Sequence, residues 1–235
     1  DVMAVELWQG GLGLPNRDYY FNTEAGVAKN RAAYPGHIAR MLQFLGEDPA
    51  TATRAGIAVM AFETVLAKNS RTLDAQRDPY TNYNKMSVAG KLNATAPDMR
   101  WRALLDSYGL AKCDTVIVGQ PEFLHAVDSL VQHTPIATLK DYFAYHLLTA
   151  YAATLSASID REDFSFYAKQ LNGQWEQRPR WKRVLDEEEG AIGMVLGKQF
   201  VKEYFPERTK KRYDDLVEAI RSAYRARIKK LDWMS

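Results

Sequence analysis

The groups in this sequence best suited to metal or nucleophilic chemistry are four histidines, His37, His125, His133 and His146, and one cysteine, Cys113. A zinc site of the hydrolytic helical type needs two histidines one turn apart, so that both imidazoles reach the ion. A glutamate beside the first then serves as general base. No histidine here opens an H-E-x-x-H pattern, and no two stand four residues apart. All four are therefore read as surface or core-edge side chains. Cys113 alone can form neither a disulfide within the chain nor a multi-cysteine metal site, and it is read as a buried thiol. No Ser-His-Asp or Cys-His arrangement follows from the spacing. The residues themselves assign no catalytic, cofactor-binding or metal-ligating position.

Other patterns resolve the same way. Residues 10–16 are glycine-rich but fit neither G-x-G-x-x-G nor the P-loop, so they are read as a turn. Gly193 and Gly197 form G-x-x-x-G, which in a helix outside a membrane predicts close approach of another backbone. The acid run Asp186-Glu187-Glu188-Glu189 follows Arg180, Lys182 and Arg183. Pairs such as Lys182–Asp186 and Arg183–Glu187 predict a solvated, self-neutralising face, with Glu188 nearer the apolar stripe. Arg221, Arg225, Arg227, Lys229 and Lys230 close the last helix, where cations complement the negative end of its dipole. Asn93-Ala94-Thr95 is a formal glycosylation triplet that matters only in a secreted eukaryotic protein.

The elements that would position these groups are mostly helices. The 235 residues carry 31 basic and 29 acidic side chains, a net charge of +2, which argues against a nucleic-acid partner. No basic-then-apolar signal segment opens the chain, and both ends are expected to be cut. The most apolar helical stretch, residues 145–157, is shorter than a membrane span and is read as a buried helix, so no transmembrane segment is expected. Helical periodicity runs over residues 23–45, with a kink or break expected at Pro35, and over 50–73, 122–132, 139–159, 180–204 and 207–230. Residues 2–8 could form a short strand, and Val116-Ile117-Val118 a strand or extended connector. The expected class is mainly α, a multi-helix domain with at most one or two short strands and no internal domain boundary.

Four segments, in order, resemble the neprilysin and endothelin-converting-enzyme family of zinc metallopeptidases, including its bacterial oligopeptidases. Gly13-Leu14-Pro15-Asn16-Arg17-Asp18-Tyr19-Tyr20 is similar to that family's G-L-P-x-R-D-Y-Y. Asp78-Pro79-Tyr80-Thr81-Asn82-Tyr83-Asn84-Lys85-Met86-Ser87 is similar to its D-P-x-x-x-Y-N-K-M-[ST]. Ile192-Gly193 through Glu203-Tyr204-Phe205-Pro206 resembles A-x-G-x-L-Y-V-E-x-Y-F-P, with Leu196-Gly197-Lys198 where the family has Leu-Tyr-Val. Leu231-Asp232-Trp233-Met234 resembles L-x-W-M.

The resemblance implies that residues 1–235 are part of a helical, non-catalytic lid domain that limits which peptides reach a zinc ion. It implies zinc in the full-length parent and none in this chain. The implied partners are the protein's own catalytic domain and peptide substrates. None of the family's zinc, general-base or main substrate-binding motifs maps onto these residues, so the chain alone is expected to be inactive. Asp18 and Asn84 are expected to satisfy turn backbones, and the motif tyrosines to pack while donating a hydrogen bond. The single cysteine favours a bacterial member, for which an exported or periplasmic location is favoured over the cytoplasm. The alternative is a free-standing helical module that binds a peptide or protein without catalysis.

Overall fold

The computed structural model describes residues 3–233. Val2, at the start of the expected first strand, and the terminal Met234 and Ser235 lie outside the described residues. The chain divides into two compact units at Gln177/Arg178, a boundary that the sequence did not announce.

The first unit contains, in chain order, β1 (Val5–Leu7), α1 (Asp18–Phe21), α2 (Ala25–Gln43), α3 (Pro49–Asn69), β2 (Asn84–Ser87), α4 (Asn93–Thr95), α5 (Trp101–Ser107), β3 (Thr115–Val118), α6 (Pro121–His133), α7 (Ile136–Ala150) and α8 (Ala157–Asp163). The last runs into a π-helical turn, Phe164–Leu171. The mainly α class holds. The sheet has three strands where one or two were expected, because Asn84–Ser87 also pairs.

The hairpin of α2 and α3 is the scaffold. Gly46 takes a left-handed φ of 96° to end the first helix. The Asp48 carboxylate then caps the second, accepting from the Ala50 and Thr51 amides at 3.1 Å each, with Pro49 in the first turn. Pro35 does not end the first helix: α2 is assigned without interruption from Ala25 to Gln43. At this level the partner helix carries Gly56, where an added Cβ would collide with the Pro35 carbonyl. Gly56 thus makes the kind of close backbone approach that was expected at Gly193 and Gly197, whereas Gly193 meets only the Glu189 side chain of its own helix. Nothing lies within 4 Å of a Cβ placed on Gly197.

Tyr34, Ile38, Met41 and Leu42 of α2 pack with Val59, Phe62 and Leu66 of α3, Tyr145 and Leu148 of α7, and Phe166. Among the described residues α3, and not residues 145–157, is the helix long and apolar enough by composition to cross a membrane. Here it is a core helix, packed against α2, α6 and α7. Residues 139–159 do not form one helix; α7 stops at Ala150, and a 3-10 turn, Ala152–Thr154, precedes α8.

A second core lies under the sheet, whose order is β1-β3-β2. β3 is central, parallel to β1 with Val116 opposite Val5, and antiparallel to β2 with Val118 opposite Asn84. Val116 and Val118 point inward onto Met86, Leu92, Trp101 and Leu105. Cys113 is only half-buried at the edge of this core.

The second unit is α9 (Arg180–Tyr204) and α10 (Glu207–Ile228), with Pro179 and Pro206 at their N-caps. No residue of either helix is buried. The stripe of Tyr213, Leu216, Ile220, Tyr224 and Ile228 is exposed, and so is Glu188. The Asp186 carboxylate pairs with Arg178.

Candidate functional site

The densest polar cluster lies under the glycine loop of residues 10–16. Its centre is Glu63 of α3, which is fully buried. One carboxylate oxygen accepts from the Tyr20 hydroxyl at 2.5 Å, the Tyr34 hydroxyl at 3.0 Å and the Gly13 amide at 3.2 Å. The other accepts from the Tyr34 hydroxyl at 3.1 Å and from Nε2 of His146 at 2.8 Å. The loop is held from its carbonyl side as well. Tyr142 donates to the Gly11 carbonyl at 2.8 Å and Tyr167 to that of Gly13 at 2.9 Å. Tyr145 in turn donates to the Tyr167 hydroxyl at 2.8 Å, and the Leu14 amide to that of Tyr20 at 3.2 Å.

Helical spacing builds this arrangement. Tyr142, Tyr145 and His146 share one face of α7, three and four residues apart, and that face meets the buried side of α3. An added Cβ on Gly13 would collide with the Tyr34 hydroxyl, so glycine is required for the loop to reach the carboxylate. Burial, with Glu63 alongside, pushes the Tyr20 hydroxyl far above the ordinary phenol range. Burial, then the neighbouring Tyr145 and Glu63, does the same to Tyr34. Both therefore stay protonated and remain donors. A carboxylate so enclosed, with four donors spent on it, has no face left for a substrate. Its chemistry is to fix the loop.

A second buried pair lies nearby in the same core. His37 is fully buried, stacked on Phe166 at 4.5 Å, with Nδ1 3.0 Å from Glu162. Arg40 donates to the same glutamate oxygen at 2.7 Å. Burial lowers the His37 pKa despite the carboxylate. Burial opposes ionisation of Glu162, but its bonds from His37 and Arg40 outweigh that and bring it below the usual range. On the same stretch, burial, together with Asp160 and Glu162, pushes the Asp163 carboxyl up to about 6.

The remaining histidines are ordinary. His125 and His133 each bond a backbone carbonyl, of Thr95 and Ser129. Among the described residues no three of His, Cys, Asp and Glu converge as a metal site needs. The two His–Glu pairs do not fit a zinc ion, because each is already saturated by protein donors or buried against an aromatic ring.

The polar motif residues are committed to backbone. Asn84 donates to the carbonyls of Thr81 and Val118 at 3.0 Å, and of Gly119 at 3.3 Å, joining β2 to the end of β3. Asn82 donates to the Ala75 and Asp78 carbonyls and accepts from Arg71 and Gln120. Asp18 does not take the part expected of it. Its side chain is half exposed beside Arg17, and Asn16 accepts from the Asp18 amide instead. Of the motif tyrosines, Tyr20 packs and donates as expected, whereas Tyr80 and Tyr83 are exposed. The sequence does hold a signal for Glu63 and His146: each is the one charged or basic side chain amid an apolar helical run.

Residues 1–235 match the family model described as Peptidase family M13. Endothelin-converting enzyme 1 of Mus musculus is 27% identical over 98% of this chain and 30% of its own length. Endothelin-converting enzyme-like 1 of Rattus norvegicus is 28% identical over 98% and 30%. The inhibitor-bound zinc metalloprotease Zmp1 of Mycobacterium tuberculosis superposes with a TM-score of 0.85 at 32% identity, covering 98% of this chain and 35% of that one. PepO from Lactobacillus rhamnosis shares the fold at a TM-score of 0.76 and 20% identity. The chain thus spans about a third of the length of the relatives it matches. It belongs to peptidase family M13, the neprilysin and endothelin-converting-enzyme family of zinc metallopeptidases, and corresponds to part of the N-terminal domain.

Proposed function

We propose that this chain is a substrate-gating lid segment of a zinc peptidase, without catalytic residues of its own. The observation that carries the reading is the pair α9 and α10. Two long helices hold apolar residues such as Trp181, Phe200, Leu216 and Ile220, none of them buried. Apolar side chains left exposed along long helices suit faces covered by further protein. The first unit, by contrast, carries two buried hydrophobic cores of its own. The zinc, the general base and the peptide-binding strand would come from elsewhere in the same protein. An exported or periplasmic setting belongs to the same proposal.

The exposed face also favours a second reading, a free-standing module that docks a partner on α9 and α10. Sequencing the gene in frame past the Ser235 codon separates the two. An H-E-x-x-H motif followed by E-x-x-x-D supports the lid. A stop codon there refutes it and leaves the docking module.

A further inference from the structure

We propose that the cleft between the start of α2 and the π-helical turn is a binding site for acidic peptide segments. It lies in the first unit, outside the Glu63 cluster, and has a volume of about 530 Å³, within the range of ordinary ligand sites. Lys29 and Asn30 line it from α2, Ser165, Lys169 and Gln170 from the π-helical turn, and Trp175 from the loop beyond. Neither lysine is in an ion pair among the described residues, and no carboxylate lines the cleft. The neighbouring Glu162 is already held by His37 and Arg40. Two cations thus face one cavity with their charge unspent.

The other lining groups point to a peptide. Gln170 Nε2 reaches Asn30 Oδ1 only at 3.5 Å, so the donor of one amide and the acceptor of the other are available to a peptide group. Trp175 is 87% exposed, yet its loop is pinned. Gly173 takes a left-handed φ of 70°, the Gly173 and Gln174 amides return to the Lys169 and Ala168 carbonyls, and Gln177 bonds Asp160. An exposed indole on a fixed loop offers an aromatic face at little entropic cost. An inorganic anion would use the lysines and the Asn30, Ser165 and Gln170 donors but not the Trp175 face. A peptide with acidic side chains flanking an apolar one uses all of them. Choosing a peptide rests on the peptidase reading above.

Acetyl-Asp-Glu-Phe-Asp-amide is titrated into the purified protein and binding is followed by calorimetry, with no turnover required. Saturable binding is expected, about tenfold weaker for the Asn-Gln-Phe-Asn counterpart and for the Lys29→Glu/Lys169→Glu variant. Trp175→Ala should weaken it as well. All three side chains lie on the surface, so the variants should keep the wild-type melting temperature. Undiminished binding in the double lysine variant, or equal binding of the neutral peptide, overturns the proposal. So does inorganic phosphate binding as tightly as the peptide, since that describes an anion site indifferent to peptides. Because hydrolysis is not the readout, a gene without a zinc motif would refute the peptidase reading and leave this result standing on its own.

Discussion

Replacing Glu63 by alanine tests the buried cluster most severely. The substitution strands the Tyr20 and Tyr34 hydroxyls, the Gly13 amide and the His146 imidazole at once. Hydrogen bonds to a carboxylate contribute about 1.5–3 kcal/mol each. Four would sum to about 6–12 kcal/mol, but they share one acceptor and are not additive. Desolvating the carboxylate costs several kcal/mol in the opposite direction. The net expectation is a loss of about 3–5 kcal/mol, the range for breaking a buried charged contact. For a chain of this size that lowers the melting temperature by about 10–15 °C. Glu63→Gln should fall between the two, because its oxygen still accepts from Gly13 while its amide can donate to only one tyrosine. Urea unfolding gives the free energy, and hydrogen exchange at the Gly11–Leu14 amides shows whether the loop is released. A Glu63→Ala loss below about 0.5 kcal/mol, the level of an ordinary surface change, would refute the role given to this residue.

Three further outcomes follow from particular contacts. Gly56→Ala drives a methyl into the Pro35 carbonyl and should cost about 1–3 kcal/mol in thermal unfolding. Asn84→Ala removes the donor to three carbonyls and should cost about 1–2 kcal/mol, whereas Asp18→Ala should change stability by less than about 0.5 kcal/mol. The Asp163 carboxyl is held at about 6 in the folded state, above its unfolded value of 3.8. The folded state therefore binds the extra proton between those values, and this group lowers stability as pH rises from about 4 to 6. Measured against the wild type, Asp163→Asn should remove that fall, so its melting temperature should gain on the wild type from pH 4.5 to pH 7. An offset independent of pH would show that Asp163 does not titrate there.

Much of the helical framework was legible because punctuation residues mark it. Gly46 and Pro49 mark the α2–α3 turn, and Pro179 and Pro206 bracket α9. What escaped depends on partners distant in sequence. Asn84–Ser87 has no β-branched residue, and it becomes a strand because β3 offers its edge and Asn84 ties the end. The break after Ala150 carries no glycine or proline. Pro35 fails to stop its helix where Gly56 lets α3 pack close to the same turn. Periodicity over residues 207–230 announces α10, but it marks the apolar side of a helix without saying what covers it. Glu63 was visible as an isolated acid in the run from Ala55 to Ala67. The two tyrosines that satisfy it come from α1 and α2 and the histidine from α7, and no spacing rule links them.

The most direct test of the lid proposal is the zinc content of the purified, folded chain of residues 1–235. The chain is dialysed first against excess zinc and then against metal-free buffer. A lid without catalytic residues should retain far less than one zinc per chain and show no chelator-sensitive peptide cleavage. One zinc per chain, tightly held, would contradict the claim that the metal site lies elsewhere in the protein.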